Sequence, residues 1–115
     1  MKQKLLKPSL REKKRYLVYE TICENKIESE DVKEEIIKKF SELFGSLTYS
    51  KANIEFIQSE GNKGIIKVNN KYLDNLRASF CFVRKINKED AIVRSSGVSG
   101  MINKARTKFI HGGVE

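Results

Sequence analysis

The chain has 115 residues and a net charge of +8, with one histidine, two cysteines and no tryptophan. This length suits a single domain with one modest core. One histidine and two isolated cysteines cannot supply a tetrahedral metal site, and Cys23 and Cys81 each lie in an apolar run, which does not indicate a disulfide framework. No apolar stretch approaches the roughly 20 residues of a membrane span. The sequence therefore predicts a soluble, cytoplasmic protein with no membrane span.

Positive charge is concentrated at the two ends of the chain. Residues 1–15 carry seven bases and one acid, and residues 94–115 carry four bases and one acid. The middle, residues 16–93, is close to neutral, with 12 bases and 13 acids. If the ends meet in space they form one basic face, for which nucleic acid is the leading partner; an acidic protein or an anionic membrane surface comes second. The candidate phosphate-binding residues are Arg11, Lys13, Lys14, Arg15, Arg94, Lys104, Arg106 and Lys108.

The apolar pattern predicts strand, helix, strand, strand, helix, strand and a final helix. The predicted strands cover residues 16–23, 52–58, 65–68 and 91–96. The first helix is capped by Ser29 and stops at Gly45, and residues 46–51 form a connection. The second, capped by Asn69 or Asn70, covers about residues 71–85. The third opens at Ser99 or Gly100.

This order predicts an α/β, ferredoxin-like sandwich similar to the RNA-recognition motif. It has an antiparallel four-stranded sheet, two crossover helices on one face and an added C-terminal helix. Residues 1–115 form one domain, with a basic arm at about residues 1–14 and a short tail at about residues 111–115. Both faces of the first strand are largely apolar, so we expect both to be covered.

The residues that usually perform chemistry are sparse. His111 is alone and falls in the predicted tail, and the carboxylates cluster on a solvated helix face. Residues 95–100, a Ser/Gly-rich stretch before a helix, suit either a phosphate cradle or a plain turn. The third strand has no aromatic residue, which argues against base stacking on the sheet. A small hydrolase of the acylphosphatase type needs an arginine in the first loop, and residues 24–28 contain none.

Two stretches carry a resemblance to a known family. The opening reads Leu6-x-Pro8-Ser9-x-Arg11-x-x-x-Arg15-Tyr16, and a later segment reads Arg94 followed by Ser99-Gly100-Met101-Ile102-Asn103-Lys104-Ala105. Together with the order of elements, these patterns resemble the archaeal ribonuclease P protein component 2 family. The chain departs from the family at Met101, where threonine is usual, and at Asn103, where lysine is usual.

The resemblance implies a protein subunit of ribonuclease P, the endoribonuclease that removes the 5′ leader from precursor tRNA. It implies that catalysis belongs to the RNA subunit and its Mg²⁺ ions, with no cofactor or catalytic residue in the protein itself. The implied partners are the catalytic RNA, precursor tRNA, and the barrel-shaped component 3 protein, in a heterotetramer of two pairs. The alternative is a ribosomal or other structural RNA-binding protein of the same fold.

Overall fold

The computed structural model describes residues 13–111, with side chains described as far as Thr107. Within them are five strands and three helices. In chain order these are β1 (Lys14–Cys23), α1 (Ser29–Ala52), β2 (Glu55–Glu60), β3 (Lys63–Asn69), α2 (Leu73–Cys81), β4 (Lys85–Ile86), β5 (Glu89–Ser99) and α3 (Ile102–His111). A single 3-10 turn, Asn70–Tyr72, precedes α2. None of the described helices is long and apolar enough to cross a membrane.

The strands form one antiparallel sheet in the order β2-β3-β1-β5-β4, with β1 at its centre. The fold class is therefore α/β with an antiparallel sheet, as predicted. The predicted count of four strands is wrong for the described residues, because Lys85 and Ile86 pair with Asp90 and Glu89 as a fifth, two-residue strand. Asn87 and Lys88 make this tight turn, each with a positive φ.

Helix α1 covers one face of the sheet with Val32, Ile36 and Phe40, which are all buried. Gly45 interrupts the helix, as predicted, because its φ of 88° and ψ of 161° are not helical. The predicted connection at residues 46–51 is wrong, since helical structure resumes and ends only at Ala52. Burial of Ala52 and packing of Tyr49 on Phe40, with ring centroids 6.1 Å apart, stabilise that extra segment.

Helix α2 is shorter than the pattern predicted and ends at Cys81. The amide groups of Phe82 and Val83 donate to Ser79 and Phe80, three residues back, which tightens the chain into a turn before β4. At the other end, the predicted cap is present: the side chain of Asn69 accepts a hydrogen bond from the Lys71 amide at 2.9 Å. Ser29 is the first helical residue of α1 rather than its cap.

The two faces of β1 contribute to two separate clusters. Leu17 and Tyr19 lie in the larger one, between the sheet and helices α1 and α2. Val18 lies on the opposite face, where Ile65 and Ala105 bury it under α3. The prediction that both faces of the first strand are covered is therefore confirmed for the part of β1 that α3 reaches.

Candidate nucleic-acid interface

The start of β1 and the start of α3 lie side by side. Tyr16 pairs with Ser99, so Lys14 and Arg15 come next to the junction between β5 and α3. The Nη1 atom of Arg15 donates to the Lys14 carbonyl at 3.2 Å. The Arg15 side chain lies against Gly100: a Cβ atom at Gly100 would be 3.4 Å from this Nη1 atom. The basic segments from the two ends of the chain therefore meet at this end of the sheet.

The described cations of the two basic segments are available to a ligand. Lys13, Lys14, Lys104 and Arg106 are exposed, and Arg15 is half-buried. None of these five residues forms an ion pair with another residue in the described part of the chain. We call Lys13, Lys14, Arg15, Lys104 and Arg106 the cationic cluster. Five cations that have no ion pair within the described residues attract a polyanion.

The orientation of α3 follows from its apolar side. Ala105 is fully buried, and Ile102 packs beside it against the cluster around Val18 and Ile65. Because residues three apart share a helix face, these two side chains fix that face toward the sheet. Asn103 and Lys104 are then exposed. Asn103, where lysine is usual in the family that the chain resembles, thus places a neutral side chain on the exposed surface next to Lys104.

The Ser/Gly-rich stretch does not form a loop. Residues up to Ser99 belong to β5, and Ser95 and Gly97 pair with Tyr19 and Val18 across a bulge at Ser96. Only Gly100 and Met101 separate β5 from α3. The Ser99 hydroxyl accepts a hydrogen bond from the Met101 amide at 3.0 Å. Residues 95–99 therefore extend β5, and the junction between β5 and α3 is a two-residue turn.

Arg94 lies apart from the cationic cluster. It pairs with Glu20, five residues beyond Arg15 on β1, or about 17 Å along the strand. Its Nε and Nη2 atoms donate to the same Glu20 carboxylate oxygen at 3.2 and 2.8 Å. The sequence did not reveal this pair, because its two residues are 74 positions apart. Arg94 thus has an ion-pair partner within the chain, Glu20, whereas the residues of the cationic cluster have none among the described residues.

Two candidate residues cannot be placed. Arg11 lies outside the described residues, and the side chain of Lys108 is also outside them although its backbone is in α3. Most of the predicted basic arm and the end of the predicted tail fall outside the described part as well. His111, predicted to lie in that tail, is the last residue of α3.

Where α3 covers the sheet, little surface is left on which nucleic-acid bases could stack. Tyr16 is half-buried and packs against the cluster beneath α3. Tyr19 faces the other way and is buried, and its removal from water raises the pKa of its phenol. Among the described residues, no group of three or more His, Cys, Asp or Glu is placed to hold a metal ion. The arrangement suits binding of phosphates at an exposed edge.

Comparison with known proteins shows that most of the chain matches a family. The profile of the Rpp14/Pop5 family matches residues 15–110. Ribonuclease P protein component 2 of Methanosarcina mazei is 37% identical over 107 residues, covering 93% of this chain and 92% of that protein. The protein of the same name from Thermococcus gammatolerans is 36% identical over 111 residues, covering 95% and 92%.

A solved structure has a similar fold. A chain in the cryo-EM structure of yeast ribonuclease MRP superposes with a TM-score of 0.66 over 90% of this chain and 91% of that chain. The two are 10% identical, so this likeness concerns the fold alone. The sequence matches confirm the resemblance inferred from the opening pattern and the Arg94–Ala105 segment.

Proposed function

Because the chain belongs to the Rpp14/Pop5 family, we propose that it is a protein subunit of ribonuclease P. In that role it supports the RNA-catalysed removal of the 5′ leader from precursor tRNA. The relatives named ribonuclease P protein component 2, which match over more than nine-tenths of this chain, are the observation that carries the proposal. The cationic cluster supports it, because five cations with no ion pair among the described residues fit a polyanionic partner.

The mechanism is electrostatic. The cationic cluster, with Arg11 and Lys108, contacts phosphates of the catalytic RNA. Neutralising phosphates reduces repulsion between RNA segments, so the RNA reaches its active fold with less Mg²⁺. The protein supplies no catalytic group and binds no cofactor, and the Mg²⁺ ions needed for cleavage are held by the RNA. Arg94 makes a smaller contribution, since an RNA phosphate must compete with Glu20 for its guanidinium.

The protein acts within an assembly. Its partners are the catalytic RNA, precursor tRNA bound to the same particle, and the barrel-shaped component 3 protein, in a heterotetramer of two pairs. Its place of action is the cytoplasm. The four long strands lie in the order β2-β3-β1-β5, which supports a ferredoxin-like arrangement of the sheet, with β4 as an addition at one edge.

The test is cleavage of precursor tRNA by the cognate catalytic RNA at low Mg²⁺, with and without this protein and component 3. We expect cleavage only when both proteins are present. An Arg15→Glu/Lys104→Glu variant should lose this effect, and a Lys38→Glu variant, changed at an exposed position on α1, should keep it.

One outcome would contradict the proposed function. If cleavage is the same when a folded sample of this protein is left out, the proposed function is wrong. Co-sedimentation with ribosomal particles in place of ribonuclease P RNA would then favour a structural RNA-binding role.

A further inference from the structure

A further exposed lysine lies beside the cationic cluster. The amide of Asn70 donates a hydrogen bond to the carbonyl of Lys13 at 2.7 Å, which joins the 3-10 turn Asn70–Tyr72 directly to the start of β1. Lys71, in the middle of this turn, is exposed and forms no ion pair with another described residue. Because Lys71 belongs to the near-neutral middle of the sequence, the distribution of charge along the chain does not reveal it.

The 3-10 turn and helix α3 lie on either side of the start of β1. Asn69, the last residue of β3, and Ser99, the last residue of β5, both pair with the first residues of β1. Strands β3 and β5 are therefore roughly 10 Å apart here, which is two strand spacings. Beyond Asn69 the chain continues into α2, on one face of the sheet, and beyond Ser99 it continues into α3, on the other face. Lys71 and Lys104 thus belong to segments on opposite sides of the sheet, with the cations of β1 between them.

Two acids at this end of the sheet each have a cation of their own. Asp74, in the first turn of α2, forms an ion pair with Arg77 at 3.9 Å. Glu55 of β2 forms an ion pair with Lys67, its neighbour on β3, at 3.5 Å. Lys71 therefore adds a sixth cation without an ion pair to the cationic cluster, and the enlarged surface is complementary to a polyanion.

The aromatic residues that directly follow Arg15 and Lys71 pack into the protein. Tyr16 is half-buried beneath α3, and Tyr72 is half-buried against the larger cluster on the other face. Proteins that bind single-stranded RNA usually combine a basic groove with aromatic rings on which bases stack. Double-stranded RNA is instead recognised by its shape, through contacts to its phosphates and sugars. Cations on two sides of a strand, with the adjacent rings turned inward, fit the second kind of ligand.

We infer that the cationic cluster and Lys71 together bind a double-stranded segment of RNA, whose two phosphate backbones lie on opposite sides of the start of β1. Lys71 contacts one backbone and Lys104 contacts the other. This rests on the proposed function, which supplies RNA as the polyanion. It adds a contact residue, Lys71, and the class of RNA structure that the surface accepts.

The experiment compares two labelled RNAs that have the same number of phosphates, a fully paired duplex and an unpaired oligouridine. Their binding to the full chain is measured by fluorescence anisotropy over a salt series. We expect the duplex to bind severalfold more tightly than the oligouridine. Lys71→Ala should weaken duplex binding severalfold and reduce the slope of log affinity against log salt by about one, as for one lost phosphate contact. Lys71→Arg keeps the charge and should bind as wild type does, and so should the control Lys38→Ala, changed at an exposed position on α1.

Three results would overturn the inference. Oligouridine bound as tightly as the duplex would exclude a duplex-specific surface. Equal duplex affinities of Lys71→Ala and Lys38→Ala would remove Lys71 from the interface, and a loss shared by Lys71→Arg would show that charge is not the cause. Cleavage of precursor tRNA, measured with the same samples, tests the proposed function separately. If the duplex binds as expected but cleavage does not depend on this protein, the proposed function is wrong and the duplex-binding surface stands.

Discussion

The ring of Tyr19 lies directly over Gly64 of the neighbouring strand. The two residues are paired in register, and a Cβ on Gly64 would overlap the ring and hydroxyl of Tyr19. The ring extends across β3 to Phe56, and on its other side it contacts Phe80, with centroids 6.2 Å away in each case. The absence of a side chain at Gly64 thus allows one tyrosine to join β2, β1 and α2 in the core.

We expect Gly64→Ala to destabilise the fold. The added methyl group must displace a buried ring, and overpacking of this kind costs about 1–3 kcal/mol of unfolding free energy. Urea denaturation followed by circular dichroism measures the change. In a Tyr19→Leu background the same Gly64→Ala change should cost much less, because the ring is gone. Purely additive effects in this double-mutant cycle would contradict the packing explanation.

Stability should fall in alkali because of Tyr19. Burial raises the pKa of this phenol above its ordinary value of 10.0. As pH rises past about 10, the unfolded chain releases the proton while the folded protein keeps it. The unfolded state then binds fewer protons, so the free energy of unfolding decreases with rising pH. The decrease should be shallower in Tyr19→Phe, measured by denaturation across this range; equal slopes would exclude the phenol as the cause.

RNA binding should depend strongly on salt. If roughly six phosphates are contacted, affinity should fall on the order of a thousandfold between about 50 and about 200 mM salt. Arg15→Ala and Lys104→Ala should each weaken binding and reduce the slope of log affinity against log salt by about one. Lys38→Ala is the matched control, and filter binding over a salt series gives the slopes. A salt-insensitive complex would contradict an electrostatic interface.

Arg94→Ala should weaken RNA binding less than Arg15→Ala does. Its guanidinium is already paired with Glu20, whereas Arg15 has no ion pair among the described residues. Because the Arg94 side chain is 58% exposed, losing its ion pair should change the unfolding free energy by at most about 1 kcal/mol. The same filter-binding series measures both variants. A greater loss of affinity at Arg94 than at Arg15 would place the RNA over the centre of the sheet instead.

Local sequence signals predicted the parts of the fold that depend on local chemistry. Gly45 ends a helical segment because its backbone conformation strongly favours glycine, and Asn69 caps the turn before α2 because its side chain reaches the Lys71 amide. The buried residues Val32, Ile36 and Phe40 of α1 recur every four residues, which is helical spacing. In each case the residue that gives the signal lies within a few residues of the structure that it determines.

The errors arose where distant pairing overrides local composition. Phe82 and Val83 continue an apolar pattern, yet β4 pairs with β5 immediately afterwards and α2 must end at Cys81. The Ser/Gly-rich residues of β5 suggest a loop, but pairing with β1 makes them a strand. At the candidate site, the charges were visible in the sequence, whereas the Glu20–Arg94 pair depends on the register of β1 and β5.

Helix α3 has a consequence for how an RNA partner can evolve. It covers Val18 and Ile65 at the sheet centre, so bases cannot lie on that part of the surface, and the exposed cations around it are suited to phosphates. Phosphate contacts carry no direct sequence information. An RNA held in this way can exchange its bases at the interface as long as its backbone keeps the same course, and only changes in RNA shape would be selected against there.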